Sequence, residues 1–337
     1  MEASALCAMY KRIFALRNEL TDVAVDELVG MFDLTDSVLL RHEIAYALGQ
    51  MQRTHAEPFL RRVLADLDEH PVTRHEAAEA LGAIGSAHNL DVLREFVHDH
   101  APEVSQTCAL AVHRIEHAIE RGACACEKTA QAALARDAAA AAAAARTREA
   151  GAVGAVRELG EAGEASEAQQ LADPAFDARA AYSESAYMTV DPAASSMRGL
   201  PLAEVVATFS DEQLPLHTRY SAMFALRDMN SKAAALALAA GLRERSSALF
   251  RHEVAFVLGQ LERECTVPQL KECLANLAEH PMVRHEAAEA LGAIGSADAL
   301  STLRAFAEDG EPIVRESCAV ALDMFDRTGF EDAGVVV

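Results

Sequence analysis

Four histidines in this 337-residue sequence are each followed directly by a glutamate. Neutral imidazole and carboxylate together form the ligand set of iron, manganese and zinc sites built from nitrogen and oxygen. No cysteine keeps a matching register with these pairs, which disfavours a zinc site with thiolate ligands. Four histidines and four glutamates are enough to hold two metal ions. The eight candidate ligands are His42, Glu43, His75, Glu76, His252, Glu253, His285 and Glu286.

The spacing of the pairs shows that the chain is a duplication. Within each half the two histidines lie 33 residues apart, and a shift of 210 residues superposes one half on the other. The block HPVTRHEAAEALGAIGSA, residues 70–87, shares 16 of its 18 letters with HPMVRHEAAEALGAIGSA, residues 280–297. Each half therefore offers half of a site, and we expect the two halves to face each other across a pseudo-twofold axis.

The pairs are not required by the repeat itself. The equivalent slots of the outer repeats hold Tyr10, Gln106, Tyr220 and Glu316. On a helix whose buried face is centred on Ala77, His75 points about 160° away from the core, and Glu76 lies on the shoulder of that face. The histidines are therefore predicted to face off the solenoid, at the exposed pole of their helix. A repeat-consensus relic is the competing interpretation.

Two neighbouring patterns qualify the metal hypothesis. The fourth residue after each histidine is Tyr46, Glu79, Phe256 or Glu289, which excludes the HExxH motif of metalloproteases. A glycine follows each histidine by seven residues, as in His75 and Gly82. Close helix packing and room for a ligand are both compatible with these glycines.

Helical repeats must position the pairs. Ala-Leu and Ala-Val pairs that begin at residues 15, 47, 80 and 111 are spaced by 32, 33 and 31 residues, a period typical of an α-solenoid. The 71–84 segment has helical periodicity, with Pro71 at its start and Gly85 at its end. The sequence predicts an all-α solenoid of eight helical-hairpin repeats, in two pseudo-symmetric halves of four.

Composition sets the domain boundaries and the cellular setting. Residues 1–120 and 201–337 are predicted to form two lobes, and 121–200, which contain eight consecutive alanines, a flexible linker. A net charge of -22 disfavours nucleic acid and suits a basic partner. No apolar run approaches a membrane span, and seven scattered cysteines fit a reducing compartment. We expect a soluble monomer in the cytoplasm, with the nucleus also compatible.

These residues resemble the deoxyhypusine hydroxylase family. The resemblance covers residues 10–118 and 210–325 and depends on eight HEAT-like repeats with four His-Glu pairs set in RHE-x-A-x-x-LG. It implies a non-haem monooxygenase with two Fe2+ ions. The enzyme would use O2 to hydroxylate the deoxyhypusine residue of eukaryotic translation initiation factor 5A, forming hypusine. The long alanine-rich linker departs from the more compact members of the family.

The resemblance also implies roles for single residues. His42, His75 and Glu76 would bind one iron, and the equivalent residues of the second half, His252, His285 and Glu286, the other. Glu43 and Glu253 would receive the ammonium groups of the substrate, and Met282 would form an apolar wall beside the reactive carbon, although helix packing explains this methionine equally well. The alternative function is a metal-free HEAT-repeat scaffold that binds a protein partner.

Overall fold

The computed structural model describes residues 3–120 and 189–327. This described part contains fifteen α-helices and no β-strand. Seven helices precede the gap in the description, and eight follow it. The predicted all-α solenoid is therefore confirmed.

The first lobe alternates between inner helices, which stack on one another, and outer helices, which cover them. Its inner helices are α1 (Ala3–Glu19), α3 (Val38–Met51), α5 (Pro71–Ile84) and α7 (Pro102–Glu120). Its outer helices are α2 (Asp22–Phe32), α4 (Glu57–Ala65) and α6 (Leu90–Phe96). The residues Phe59, Leu60, Val63 and Leu64 of α4 are buried, as the apolar stripe in the sequence predicts.

The second lobe repeats the arrangement. Its inner helices are α9 (Leu216–Met229), α11 (Ala248–Leu261), α13 (Pro281–Ile294) and α15 (Pro312–Arg327). Its outer helices are α8 (Leu202–Ser210), α10 (Lys232–Ala240), α12 (Val267–Ala275) and α14 (Ala297–Ala305). All four prolines at the starts of inner helices occupy the first helical position, where the missing N–H costs no hydrogen bond.

The inner helix α5 begins and ends through specific local contacts. The backbone N–H of Val72 donates to Nδ1 of His70 over 3.2 Å, which satisfies one of the free donors of the first turn. Gly85 ends the helix with a φ of 75°, a left-handed conformation that glycine adopts without steric cost. The same residue types cap α13, so both halves fix this helix in the same way.

The glycines that follow the histidines are explained by helix packing. A Cβ on Gly49 would lie 2.7 Å from Cα of Ala80, and a Cβ on Gly82 would lie 2.8 Å from Cβ of Ala111. The same type of contact recurs where Gly259 faces Ala290. Of the two interpretations left open by the sequence, close packing of successive inner helices is the correct one. The close approach brings the histidine-bearing helices side by side.

The arginine before each histidine fixes the inner helix to a following loop. Arg74 is fully buried, donates to the carbonyl of Leu64 over 2.9 Å and pairs with Asp99 at 2.6 Å. Arg284 makes the equivalent pair with Asp309, also at 2.6 Å. These buried pairs hold the inner helices in register, so the arginine of the Arg-His-Glu triplet has a structural role.

The two lobes close on each other at both ends. At one end, Ser37 donates to Glu316 over 2.5 Å. At the other end, the equivalent Ser247 donates to Gln106 over 2.6 Å. Glu316 and Gln106 occupy the histidine slots of the outermost repeats, so these slots hold lobe-to-lobe contacts.

Part of the predicted linker contacts both lobes. Residues 121–188, including the alanine run, lie outside the described residues. Val190 donates to Gln50 of the first lobe over 2.8 Å, and Asp191 pairs with the fully buried Arg227 of the second lobe at 2.6 Å. Residues 189–191 therefore belong to the folded interface, in contrast to the predicted flexible segment that extends to residue 200. Composition did not predict that residues 189–191 are part of the fold, because this depends on the ion pair of a single residue, Asp191.

Candidate metal centre

The four His-Glu pairs converge between the lobes. They lie on α3, α5, α11 and α13, the two central inner helices of each lobe. All eight side chains are buried, with residue exposures between 0% and 5%. The histidines point off the solenoid of their own lobe as predicted, but the predicted exposure is wrong because the opposite lobe covers this face.

The four imidazole rings form one cluster. The ring centroids of His42 and His75 are 5.5 Å apart, and those of His252 and His285 are also 5.5 Å apart. Across the lobes, His42 lies 5.2 Å from His285 and His75 lies 5.4 Å from His252. The equal distances within the lobes reflect the pseudo-twofold relation expected from the duplication.

Most ring nitrogens of the cluster lack a hydrogen-bond partner. Both ring nitrogens of His75, His252 and His285 are buried without one, whereas Nδ1 of His42 lies 3.1 Å from Oε1 of Glu43. Buried polar atoms are nearly always hydrogen-bonded, so an unpartnered cluster of this size indicates a missing ligand. Nitrogen lone pairs directed at a shared space are what a metal ion requires.

The protonation of the histidines favours metal binding. Burial lowers the pKa values of His75, His252 and His285 well below the ordinary value, and the other imidazoles of the cluster lower them further. A neutral imidazole keeps the lone pair that binds a metal. Burial also acts to lower the pKa of His42, but the adjacent carboxylates of Glu76 and Glu43 outweigh it and raise that pKa.

One histidine–glutamate contact bridges neighbouring inner helices in each lobe, close in distance but without the geometry of a hydrogen bond. Nε2 of His42 lies 3.2 Å from Oε2 of Glu76, and Nε2 of His252 lies 3.2 Å from Oε2 of Glu286. The ligand atoms of His252, His285 and Glu286 lie within 4.8 Å of one another. This group is one of the two ligand sets implied by the resemblance.

The first lobe groups its ligand atoms differently. His75 and Glu76 lie within 4.8 Å of Glu79, and His42 lies within the same distance of His75 and His252. The structure therefore brings all eight predicted residues together without separating them into two identical triads. The division between the two metals remains a prediction.

Four further carboxylates surround the histidines as two pairs, each with one member from each lobe. We call Glu43 and Glu289 the first carboxylate pair, and Glu253 and Glu79 the second carboxylate pair. Burial and the charge of Glu289 raise the pKa of Glu43 to about 7. Burial and the charge of Glu79 raise the pKa of Glu253 well above its ordinary value. Buried negative charges of this density are stabilised by cations.

Sequence reasoning missed part of this site. Glu79, Glu289, Tyr46 and Phe256, together with Phe14, line the cavity beside the predicted residues. The first four are the residues at the fourth position after the histidines. In the sequence they served only to exclude the HExxH motif. One helical turn separates positions i and i+4, so this spacing already contained the signal that they share the face.

Met282 is packed within the second lobe. It lies in the first turn of α13, is fully buried, and is not among the residues that line the cavity. Its backbone N–H donates to Nδ1 of His280 over 3.2 Å. The position fits helix packing, the other interpretation left open by the sequence, and the apolar-wall role stays a prediction.

Comparison with known proteins agrees with the repeat architecture and with the family resemblance. A family model described as HEAT repeats matches residues 26–113 and 234–323. The curated deoxyhypusine hydroxylase of Bos taurus is 41% identical over 325 residues, which cover 95% of this chain and 86% of that protein. The deoxyhypusine hydroxylase of Gallus gallus is 42% identical over 324 residues, which cover 96% and 88%.

The chain belongs to the deoxyhypusine hydroxylase family. A solved structure of human deoxyhypusine hydroxylase in complex with glycerol matches with a TM-score of 0.72 and 38% identity, and the match covers 96% of each chain. The family resemblance inferred from the His-Glu motifs is confirmed, and with it the assignment as an enzyme, a monooxygenase. The metal-free scaffold is thereby disfavoured. Within the described ranges, none of the helices is long and apolar enough to cross a membrane.

Proposed function

We propose that this chain holds two Fe2+ ions between its lobes and uses O2 to hydroxylate the deoxyhypusine residue of translation initiation factor 5A. The observation that supports the proposal is the cluster of four buried histidines, whose ring nitrogens almost all lack hydrogen-bond partners. Imidazole and carboxylate ligands that leave positions open are typical of non-haem iron oxygenases. The donor set therefore fits the iron that the family resemblance implies.

The proposed ligands are His42, His75 and Glu76 for one ion, and their equivalents in the second lobe, His252, His285 and Glu286, for the other. When bound, the two ions supply the redox chemistry and the open coordination positions that activate O2 toward an unactivated C–H bond. The chain supplies four imidazoles, three of which burial keeps neutral, together with rigid helices that hold them and a buried position that excludes bulk water.

Glu43 orients a ligand in this scheme. Nδ1 of His42 lies 3.1 Å from Oε1 of Glu43, an arrangement that fixes the ring and directs Nε2 toward the shared centre. A carboxylate that accepts from the second nitrogen of a histidine is the usual support of a metal-bound imidazole. This contact supports a role for Glu43 outside the inner ligand set, where its charge also attracts the ammonium groups of the substrate.

The charge of the molecule suits a basic protein partner. The net charge of -22 attracts a positively charged segment and repels the phosphate backbone of nucleic acids. Because one chain contributes both half-sites, we propose that a monomer is sufficient for activity. We assign the enzyme to the cytoplasm, where a reduced state of its cysteines is maintained, with the nucleus as a second compartment.

Iron analysis combined with a hydroxylation assay tests the proposal. We expect about two iron ions per wild-type chain, because the six proposed ligands divide between two ions. Alanine variants of His42, His75, His252 and His285 are expected to lose iron and activity. The matched control is His55→Ala, since the His55 side chain is 46% exposed and pairs with Asp26. Activity that survives in all four cluster variants would refute the di-iron centre.

A further inference from the structure

The two carboxylate pairs are equivalent by sequence but differ in their hydrogen bonding. A shift of 210 residues relates Glu43 to Glu253 and Glu79 to Glu289, so the duplication creates two sites of the same composition. A substrate whose two ends differ will bind in a single orientation only if some feature makes the two sites different. The surroundings of the carboxylates contain such features.

The first carboxylate pair is already supplied with donors. Glu289 accepts from the hydroxyl of Tyr10 over 3.3 Å and from the hydroxyl of Ser317 over 3.0 Å. Glu43 has Nδ1 of His42 at 3.1 Å. Three protein groups thus occupy much of the acceptor capacity of this pair.

The equivalent donors do not reach the second carboxylate pair. Tyr220, the counterpart of Tyr10, donates instead to the carbonyl of Leu249 over 3.3 Å. The hydroxyl of Thr107, the counterpart of Ser317, is buried without a partner. Among the described residues neither Tyr220 nor Thr107 supplies a hydrogen bond to Glu79 or Glu253.

The carboxylates of the second pair therefore remain available. Glu253 is 2% exposed, and its Oε1 has no hydrogen-bond partner. Glu79 lines the same cavity and forms no hydrogen bond or ion pair with the described part of the chain. Arg114 attracts Glu79 electrostatically, but its guanidinium donates to the carbonyl of Asp191. Asp191 is an acidic neighbour of Glu79, and its negative charge is already compensated by the ion pair with Arg227.

A further asymmetry separates the two sides of the cavity. Tyr46 and Phe256 occupy equivalent positions, and their ring centroids lie 6.0 Å apart. The Tyr46 hydroxyl is buried without a partner, whereas phenylalanine offers no polar atom. The Tyr46 hydroxyl is thus an additional donor on the side of the first pair, and Phe256 provides no equivalent on the side of the second.

Deoxyhypusine carries a chain with two nitrogens, one secondary amine and one terminal primary amine, both cationic near neutral pH. A primary ammonium has three N–H donors and no acceptor, so it is best bound by carboxylate oxygens that accept no other hydrogen bond. We infer that the terminal ammonium of deoxyhypusine binds between Glu79 and Glu253, so that Glu79 sets the direction in which the substrate lies across the pseudo-twofold axis. This inference rests on the proposed function.

The direction of binding decides which carbon reaches the metal centre. In a fully symmetric site the substrate would bind in two opposite directions and present different carbons for hydroxylation. A terminal ammonium bound only at the second pair leaves one direction. Glu79 is thus a specificity-determining residue that touches the substrate and not the metals.

Binding measurements with two forms of the substrate protein test this assignment. One form carries deoxyhypusine, and the other carries N6-butyllysine, which lacks only the terminal nitrogen. We expect Glu79→Gln to weaken binding of the deoxyhypusine form at least tenfold, about 1.4 kcal/mol. Its binding of the butyllysine form should equal that of the wild type. Glu79→Asp, which keeps the charge, should restore most of the affinity.

Glu289→Gln is the matched comparison, because Glu289 is the equivalent residue of the first pair. Glu289→Gln should change the affinity for the two substrate forms equally, since the terminal nitrogen does not bind at the first carboxylate pair. A selective loss with Glu289→Gln instead of Glu79→Gln, or no selective loss with either, would overturn the assignment. The metal content of Glu79→Gln must also match the wild type, since a loss of iron would make Glu79 a ligand. A wild-type protein that neither binds nor hydroxylates the deoxyhypusine form would refute the proposed function itself.

Discussion

Replacing Asp191 with alanine removes the carboxylate that pairs most closely with a fully buried arginine of the second lobe. The two guanidinium nitrogens of Arg227 donate to the two carboxylate oxygens of Asp191 over 2.8 and 2.6 Å. The Arg227 side chain is 0% exposed and that of Asp191 is 9% exposed. The pair therefore connects the segment before α8 to the interior of the fold.

The magnitude follows from what remains around Arg227. Removal of one partner from a buried ion pair costs roughly 3–5 kcal/mol, because an uncompensated charge is left in the interior. In Asp191→Ala, the side chains of Gln260 and Asp228 still accept from Arg227, at 3.0 and 3.3 Å. We therefore expect the lower end, about 3 kcal/mol, which corresponds to a decrease in Tm of roughly 6–12 °C for a cooperative unit of this size.

Thermal and urea denaturation in parallel measure this effect, and the chain offers a control with matched geometry. Arg12 donates to Glu27 through two hydrogen bonds of 2.8 Å each, but the side chains are 46% and 44% exposed. Because solvent screens exposed pairs, Glu27→Ala should leave Tm almost unchanged. The comparison isolates burial from hydrogen-bond geometry.

A second change sharpens the test. Adding Arg227→Met to Asp191→Ala removes the buried charge, so the double variant should recover part of the lost stability. If Asp191→Ala unfolds at the same temperature as Glu27→Ala, the pair does not stabilise the fold and the reasoning is wrong. A double variant less stable than Asp191→Ala would likewise show that an uncompensated charge is not the cause.

Two other predictions concern stability. A Cβ on Gly49 would lie 2.7 Å from the Ala80 backbone, so the steric cost of Gly49→Ala should lower the free energy of unfolding by about 1–3 kcal/mol. The higher helix propensity of alanine should offset about 1 kcal/mol of this loss. Gly30→Ala, with nothing within 4 Å, should stabilise by up to about 1 kcal/mol in the same urea titration. Burial raises the pKa of Glu43 to about 7 and of Glu79 to about 8, from an unfolded value of 4.5. The stability contributed by these two carboxyls is complete below their unfolded pKa and is lost as the pH rises through their folded values. Above about pH 6.5, where His75, His252 and His285 are neutral in both states, the urea midpoint of the metal-free protein should decrease as the pH rises to 8, and a constant midpoint would contradict this.

Much of the fold could be predicted from local patterns. Three features have local physical causes and can be recognised in the sequence. They are the period of 31–33 residues, the prolines that begin inner helices and the apolar stripe of α4. The register of the repeat also assigns two cysteines to core positions. Cys108 and Cys318 occupy the core slot of Ala77 and are fully buried, and burial raises the pKa of each thiol to about 12.

The sequence alone identified the His-Glu pairs as the candidate metal ligands of this site. Residue type and a strict register single out the His-Glu pairs, because their absence from the outer repeats shows that folding does not require them. The tertiary structure decided how the pairs meet. Burial of the histidines depends on the closure of one lobe on the other, and no helical periodicity encodes that contact.

The differences between the two halves were also decided by the tertiary structure. Tyr10 reaches Glu289 over 3.3 Å, whereas Tyr220 bonds to the Leu249 carbonyl, although the two tyrosines are equivalent in sequence. Asp191 joins the interface although it belongs to a segment whose composition predicts a linker. In each case a long-range contact between residues far apart in the chain determines the result, and a local pattern contains no information about such a contact.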